Sequence, residues 1–165
     1  RPHRLVSLGG TAPMWRLDLA ELRSALAELD RPGTTFVIPS PRTPPEALEI
    51  VRAAPAVLVG GELCYPVALA AADEHYVTAD SVSMISEAIQ SGKPVGIIPV
   101  AMDARGQRAL GPTPADNDHR DIRRFLDFAA AEGLVGTVAE PKAGQVDDPV
   151  AQAVAAVRER LGGLV

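Results

Sequence analysis

Five short aliphatic runs, Leu5–Leu8, Thr35–Ile38, Ala56–Val59, His75–Val77 and Val95–Ile98, recur along the chain with longer amphipathic stretches between them. A strand buried on both faces needs such uninterrupted apolar runs, and a parallel neighbour can be reached only through a crossover, usually a helix. The pattern therefore predicts an α/β domain of three layers, with a mainly parallel sheet of about five strands. Crossover helices are expected at Asp18–Leu29, Pro45–Ala53, Pro66–Ala71 and Ser81–Gln90. Asp18 stands at an N-cap position, Pro32-Gly33 follows the first long helix, and Gly92 follows the last of the four. Beyond Pro99 the segment Asp103–His119 is polar and broken by glycine and proline, which reads as a long surface loop; helices at Asp121–Glu132 and Pro149–Leu161 complete the expectation.

Several functional classes are disfavoured by composition. At 165 residues the chain is one domain by length. Its net charge of −5 gives no basic footprint for nucleic acid or anionic lipid, and aromatic residues at 4% supply few stacking platforms. No apolar run approaches the roughly 20 residues that span a bilayer, and the start, Arg1-Pro2-His3-Arg4, resembles no signal peptide, so the chain reads as soluble. Cys64 has no partner cysteine and reads as a small buried hydrophobe. His3, His75 and His119 lack metal-ligand spacing, so no metal and no cofactor are expected, and His119 with Asp116, Asp118 and Arg120 reads as a solvated turn. The chain opens without methionine and is at once in a strand, which suggests a domain whose N-terminal partner is missing.

Three loops following predicted strands carry the candidate chemistry, because folds of this kind bind ligands outside the carboxyl ends of their strands. The strongest is Thr78-Ala79-Asp80-Ser81-Val82-Ser83, leading into a helix that contains Glu87. At about 100° per residue, Val82, Ile85 and Ile89 share the core face, and Asp80, Ser83 and Glu87 fall opposite. The unpaired amides of Ser81, Val82 and Ser83 at the helix start would cradle a phosphate or diphosphate, and Glu87 could accept ribose hydroxyls. The plainer alternative is that Asp80 or Ser81 only caps the helix and Glu87 is solvated; as an anion at the helix start, Asp80 must point aside or cap. Gly9-Gly10 permits close approach of a ligand or simply a tight turn, and Gly-x-Gly-x-x-Gly is absent. Arg42, in Ser40-Pro41-Arg42-Thr43-Pro44, could fork onto a diphosphate or a base edge, or be an ordinary surface arginine. No catalytic constellation stands out, and the catalytic residues stay unknown.

The stretch Val77-Thr78-Ala79-Asp80-Ser81-Val82-Ser83-Met84-Ile85-Ser86-Glu87-Ala88, with Ser91-Gly92-Lys93-Pro94-Val95, resembles the signature of the mitochondrial-fission (elongated mitochondria) family and its bacterial homologues. Ser40–Pro44 is similar to that family's Ser-Arg-Arg-Thr-Pro loop, with Pro41 in place of the first arginine. Glu62 and Tyr65 are similar to parts of its Glu-Asn-Pro-Tyr segment, with Leu63-Cys64 replacing Asn-Pro. The resemblance implies a Rossmann-like domain, the C-terminal half of a GT-B-type glycosyltransferase, binding a nucleoside-diphosphate sugar. It implies that Ser81 and Ser83 meet the diphosphate, that Glu87 holds the ribose, and that Gly9, Gly10 and Arg42 approach phosphates or base, with Asp80 and Val82 in the same loop. An isolated C-terminal half would bind without turnover, in the cytoplasm, free or peripheral to the inner membrane face. The competing expectations are a recruitment scaffold that keeps the fold without donor chemistry, and a sugar-nucleotide epimerase.

Overall fold

The aliphatic runs pair into one sheet in the computed structural model, which describes residues 1–59, 64–114, 121–147 and 149–162. With strands and helices numbered in chain order, β1 (His3–Leu8) lies at the centre, between β3 (Thr34–Pro39) and β5 (Glu74–Thr78). Outside these lie β4 (Val57–Leu58) and β6 (Val95–Ile98), giving the order β4-β3-β1-β5-β6 with every pairing parallel. This is a Rossmann-like α/β fold. The chain steps outward from β1 to β3 and β4, then returns to lay β5 and β6 on the other side, so the strand order reverses between β1 and β5.

Both sheet faces are covered, as unbroken aliphatic strands demand. On one face Val6, Leu8, Val37, Tyr76 and Ile98 pack with Leu22, Ala25 and Leu26 of α1 (Leu19–Glu28) and Ala47 and Val51 of α2 (Pro45–Ala53). On the other, Val77 and Val95 meet Ile85, Ala88 and Ile89 of α4 (Val82–Gln90) and Ala129 of α6 (Ile122–Ala131). Beside them α3 (Tyr65–Ala71) sets Ala68 against Leu5. Each fully buried valine or leucine contributes about 1.5–3 kcal/mol. The chain between α6 and α7 (Pro149–Gly162) covers the β6 edge through bridges from Gly136 and Lys142 to Gly96 and Val95.

At the amino ends of the strands, Arg4 is 2% exposed and donates to the carbonyls of Arg31 at 3.2 Å and Pro32 at 2.8 Å. Its Nε lies 3.3 Å from the Glu74 carboxylate, which also takes Arg31 at 2.7 Å and the Tyr76 hydroxyl at 2.6 Å. Burial, then Glu74, pushes the Tyr76 hydroxyl well above the usual phenol range. This network ties β1, β5 and the turn after α1 together at the end opposite the candidate site.

Four expectations need correcting. Asp103–His119 is not a loop throughout: α5 (Ala104–Leu110) begins where the Asp103 carboxylate accepts the Gly106 amide at 2.7 Å, and Leu110 is 1% exposed. Gly106, which suggests a loop in the sequence, is needed because a Cβ there would press on the Met14 carbonyl and the Met102 side chain. Residues 115–120, with Asp116, Asp118, His119 and Arg120, and Glu62 in 60–63, lie outside the described residues. A second sheet pairs β2 (Trp15–Leu17) antiparallel with β7 (Val100–Met102), strands too short to show a period. Val82 is 43% exposed and does not share the buried face, where Ala88 joins Ile85 and Ile89, because it opens the helix just past the carboxyl end of β5. Cys64 is exposed at the N-cap of α3.

Candidate functional site

Where the strand order reverses, β1 ends and the chain turns at Gly9-Gly10 against the carboxyl end of β5. The Gly9 amide donates to Thr78 Oγ1 at 2.8 Å and the Gly10 amide to Asp80 Oδ2 at 3.0 Å. Thr78 and Asp80 are both buried. A Cβ on Gly9 would overlap the Asp80 carboxylate, and one on Gly10 would overlap the Arg42 carbonyl, so close approach of three loops requires this glycine pair. Thr43 completes the frame. Its hydroxyl is 3.0 Å from the Leu8 carbonyl and 2.6 Å from that of Gly9, and it accepts the Ser40 amide at 3.0 Å. The loops after β1, β3 and β5 are thus held as one rim.

Asp80 therefore neither caps α4 nor lines up with Ser83 and Glu87 on an outer face. It turns inward onto the glycine turn, one oxygen bonded to Gly10 and the other buried without a partner. Its negative charge is drawn off the helix axis, which leaves the start of α4 to Ser81. The Ser81 hydroxyl accepts the Met84 amide at 3.5 Å and lies 3.3 Å from the Ser83 hydroxyl. Ser81 thus performs the capping role that the plainer reading gave it. Amides in a helix's first turn have no carbonyl a turn behind them, so those of Val82 and Ser83 open the helix with its partial positive charge. Ser83 and Glu87 are both exposed, four residues apart on the outer side of α4.

Tyr65, from the start of α3, reaches the same region. Its hydroxyl is buried without a hydrogen bond of regular geometry. Burial pushes its pKa up, the Ser7 hydroxyl lowers it, and the Glu87 carboxylate raises it again. Ser7, 1% exposed on β1, carries no signal in the sequence, since its serine sits inside an aliphatic run. Tyr65 also lines a crevice of about 220 Å³ with Ile38, Pro39, Ser40, Pro41 and Met84. Arg42 is exposed on the loop above it and forms no ion pair among the described residues.

The structure thus brings Gly9, Gly10, Arg42, Asp80, Ser81, Val82, Ser83 and Glu87 to one end of the sheet. Gly9, Gly10 and Asp80 bond within the frame, while Ser83, Glu87 and Arg42 face outward. Chemically, the rim offers hydrogen-bond donors at a positive helix end and, about a turn away, one carboxylate acceptor. Among the described residues, no group of three or more His, Cys, Asp or Glu is placed to hold a metal ion. No helix among them is long and apolar enough to cross a membrane.

Comparison with protein families finds a match between residues 1–153 and the family described as Mitochondrial fission ELM1. Comparison with curated proteins finds no match.

Proposed function

The chain belongs to the mitochondrial fission ELM1 family, and from that premise we propose that it binds a nucleoside-diphosphate sugar, as the donor half of a GT-B-type glycosyltransferase. The observation that carries this reading is the start of α4, held at the strand-order reversal with Asp80 drawn aside onto Gly10. A diphosphate laid there receives the Val82 and Ser83 amides and the Ser83 hydroxyl, with Arg42 on the facing loop. Such a helix end contributes about 0.3–1 kcal/mol toward an anion at an exposed site, and up to about 2 kcal/mol when partly buried. Glu87, beside Tyr65, accepts the ribose hydroxyls.

In glycosyl transfer the same groups stabilise the departing nucleoside diphosphate as its negative charge grows. The rim is tied across three loops before any ligand arrives, so little reorganisation opposes that stabilisation. Acceptor contacts and the base would come from an N-terminal domain, and the donor's chemistry places the reaction on the cytoplasmic side. The test is calorimetric titration with UDP, GDP, CDP and ADP. Saturable binding of one of them, weakened by Ser83→Ala and by Glu87→Ala, supports the reading. Binding unaffected by both substitutions rejects this site.

A second reading, a recruitment surface on the same fold, is favoured by one observation. Val67, 56% exposed, borders an apolar cleft of about 300 Å³ between α3 and the sheet, lined by Leu5, Phe36 and Ala68. It predicts a folded domain without nucleotide affinity.

A further inference from the structure

The loop after β1 has the glycines of a phosphate-binding turn without its free donors. A turn of that kind holds an anion with successive backbone amides that point at it. Here three successive amides are bonded within the protein instead. Gly9 donates to Thr78 Oγ1 at 2.8 Å, Gly10 to Asp80 Oδ2 at 3.0 Å, and Thr11 to the Arg42 carbonyl at 3.4 Å. The anion seated on the turn is the protein's own carboxylate.

Asp80 is 9% exposed, its Oδ1 is buried without a hydrogen bond, and neither oxygen joins an ion pair among the described residues. A buried charge answered by one amide acts strongly on its surroundings, because solvent and salt screen it far less than an exposed charge. Arg42, the cation on the facing loop, is exposed and so is screened. Asp80 immediately precedes Ser81, the N-cap of α4, which places its charge beside the Val82 and Ser83 amides on the glycine side. Glu87 stands on the other side of them, about 6 Å further along the helix than Ser83.

We propose that Asp80 is a specificity-determining residue, whose carboxylate makes the glycine side of the rim a place for an uncharged group. The site then takes a nucleoside diphosphate whose β-phosphate carries a neutral substituent, and it discriminates against a nucleoside triphosphate. This inference rests on the donor-site reading above and adds to it the class of nucleotide that is refused. With the ribose on Glu87 and the diphosphate at Val82 and Ser83, whatever is joined to the β-phosphate extends toward Asp80. A γ-phosphate there meets a like charge and no free amide of the glycine turn, and like-charge juxtaposition suppresses a wrong partner. A sugar in the same position carries no charge to be repelled.

Calorimetric titration of the whole chain in magnesium-free buffer tests this, pairing UDP with UTP, GDP with GTP, CDP with CTP and ADP with ATP. For the base that binds, the wild-type chain is expected to hold the triphosphate at least about tenfold more weakly than the diphosphate. Asp80→Asn removes the charge and keeps an acceptor for the Gly10 amide, and Asp80→Ser removes it with a smaller group. In either variant the triphosphate should bind within about threefold of the diphosphate. A wild-type chain that holds both equally overturns the proposal, and so does a preference that survives both substitutions. In those two cases, diphosphate binding that Ser83→Ala and Glu87→Ala weaken leaves the donor-site reading standing. Binding of no nucleotide at all overturns that reading and this inference together.

Discussion

Acidification should cost this domain stability through the buried imidazole of His75. His75 lies on β5 between β1 and β6, in register with Leu5 and Val95, and is 0% exposed with neither ring nitrogen hydrogen-bonded. Burial, and then the nearby Lys93 charge, lowers its pKa from the ordinary 6.5 to about 4. The unfolded chain therefore binds the proton first as pH falls. The stability tied to neutral His75 is complete above pH 6.5, declines as pH drops below it, and is fully lost near pH 4. At about 1.4 kcal/mol per pKa unit the full effect is about 3 kcal/mol, of which about 2 kcal/mol is spent between about pH 6.5 and pH 5. For a domain whose total stability is about 5–15 kcal/mol this is a large fraction. Urea unfolding midpoints at a series of pH values above 5 would measure it before most carboxylates titrate. His75→Leu removes the titrating group, so its profile should be flat over that range, whatever its neutral-pH stability. A flat wild-type profile, or an equal slope in His75→Leu, would refute the argument from burial.

Further outcomes follow from other parts of the structure. Glu74→Ala strands the buried Arg4 guanidinium and should cost about 3 kcal/mol in denaturant unfolding, with Glu74→Gln costing less because an acceptor remains for Tyr76 and Arg31. Equal losses in the two variants would show that the carboxylate charge, and not hydrogen bonding, dominates there. Leu110→Ala should cost about 2–5 kcal/mol, since α5 is anchored in the core; a loss typical of an exposed loop residue would contradict that packing. Ser81→Ala should remove about 1 kcal/mol as a lost helix cap, read from thermal unfolding. Gly9→Ala should displace Asp80 and break the Gly10 bond, seen as faster amide exchange at Gly10 in a domain that still folds. Unchanged exchange would mean that the glycine turn accommodates a side chain.

The sheet and its covering helices were legible because they rest on local rules. An aliphatic run such as Val95–Ile98 can be satisfied only between two apolar layers, and Asp18 and Ser81 cap their helices through bonds to residues two or three positions away. Where the chemistry was non-local, the residues gave less warning. Gly106 looks like a loop breaker until Met14 is found pressed against it, and β2 and β7 are three-residue strands that exist only because each supplies the other's hydrogen bonds.

The candidate site divides along the same line. Sequence spacing alone put Ser83 and Glu87 on one side of a helix that starts at a strand end, because helical periodicity is a property of consecutive residues. That Asp80 leaves this helix end and fills the glycine turn depends on Gly10, 70 positions earlier. The influence of Ser7 and Glu87 on Tyr65 likewise crosses three different elements that sequence spacing does not relate. The order of strands decided both, since placing β5 beside β1 determines which loops touch, and no local propensity encodes that neighbour.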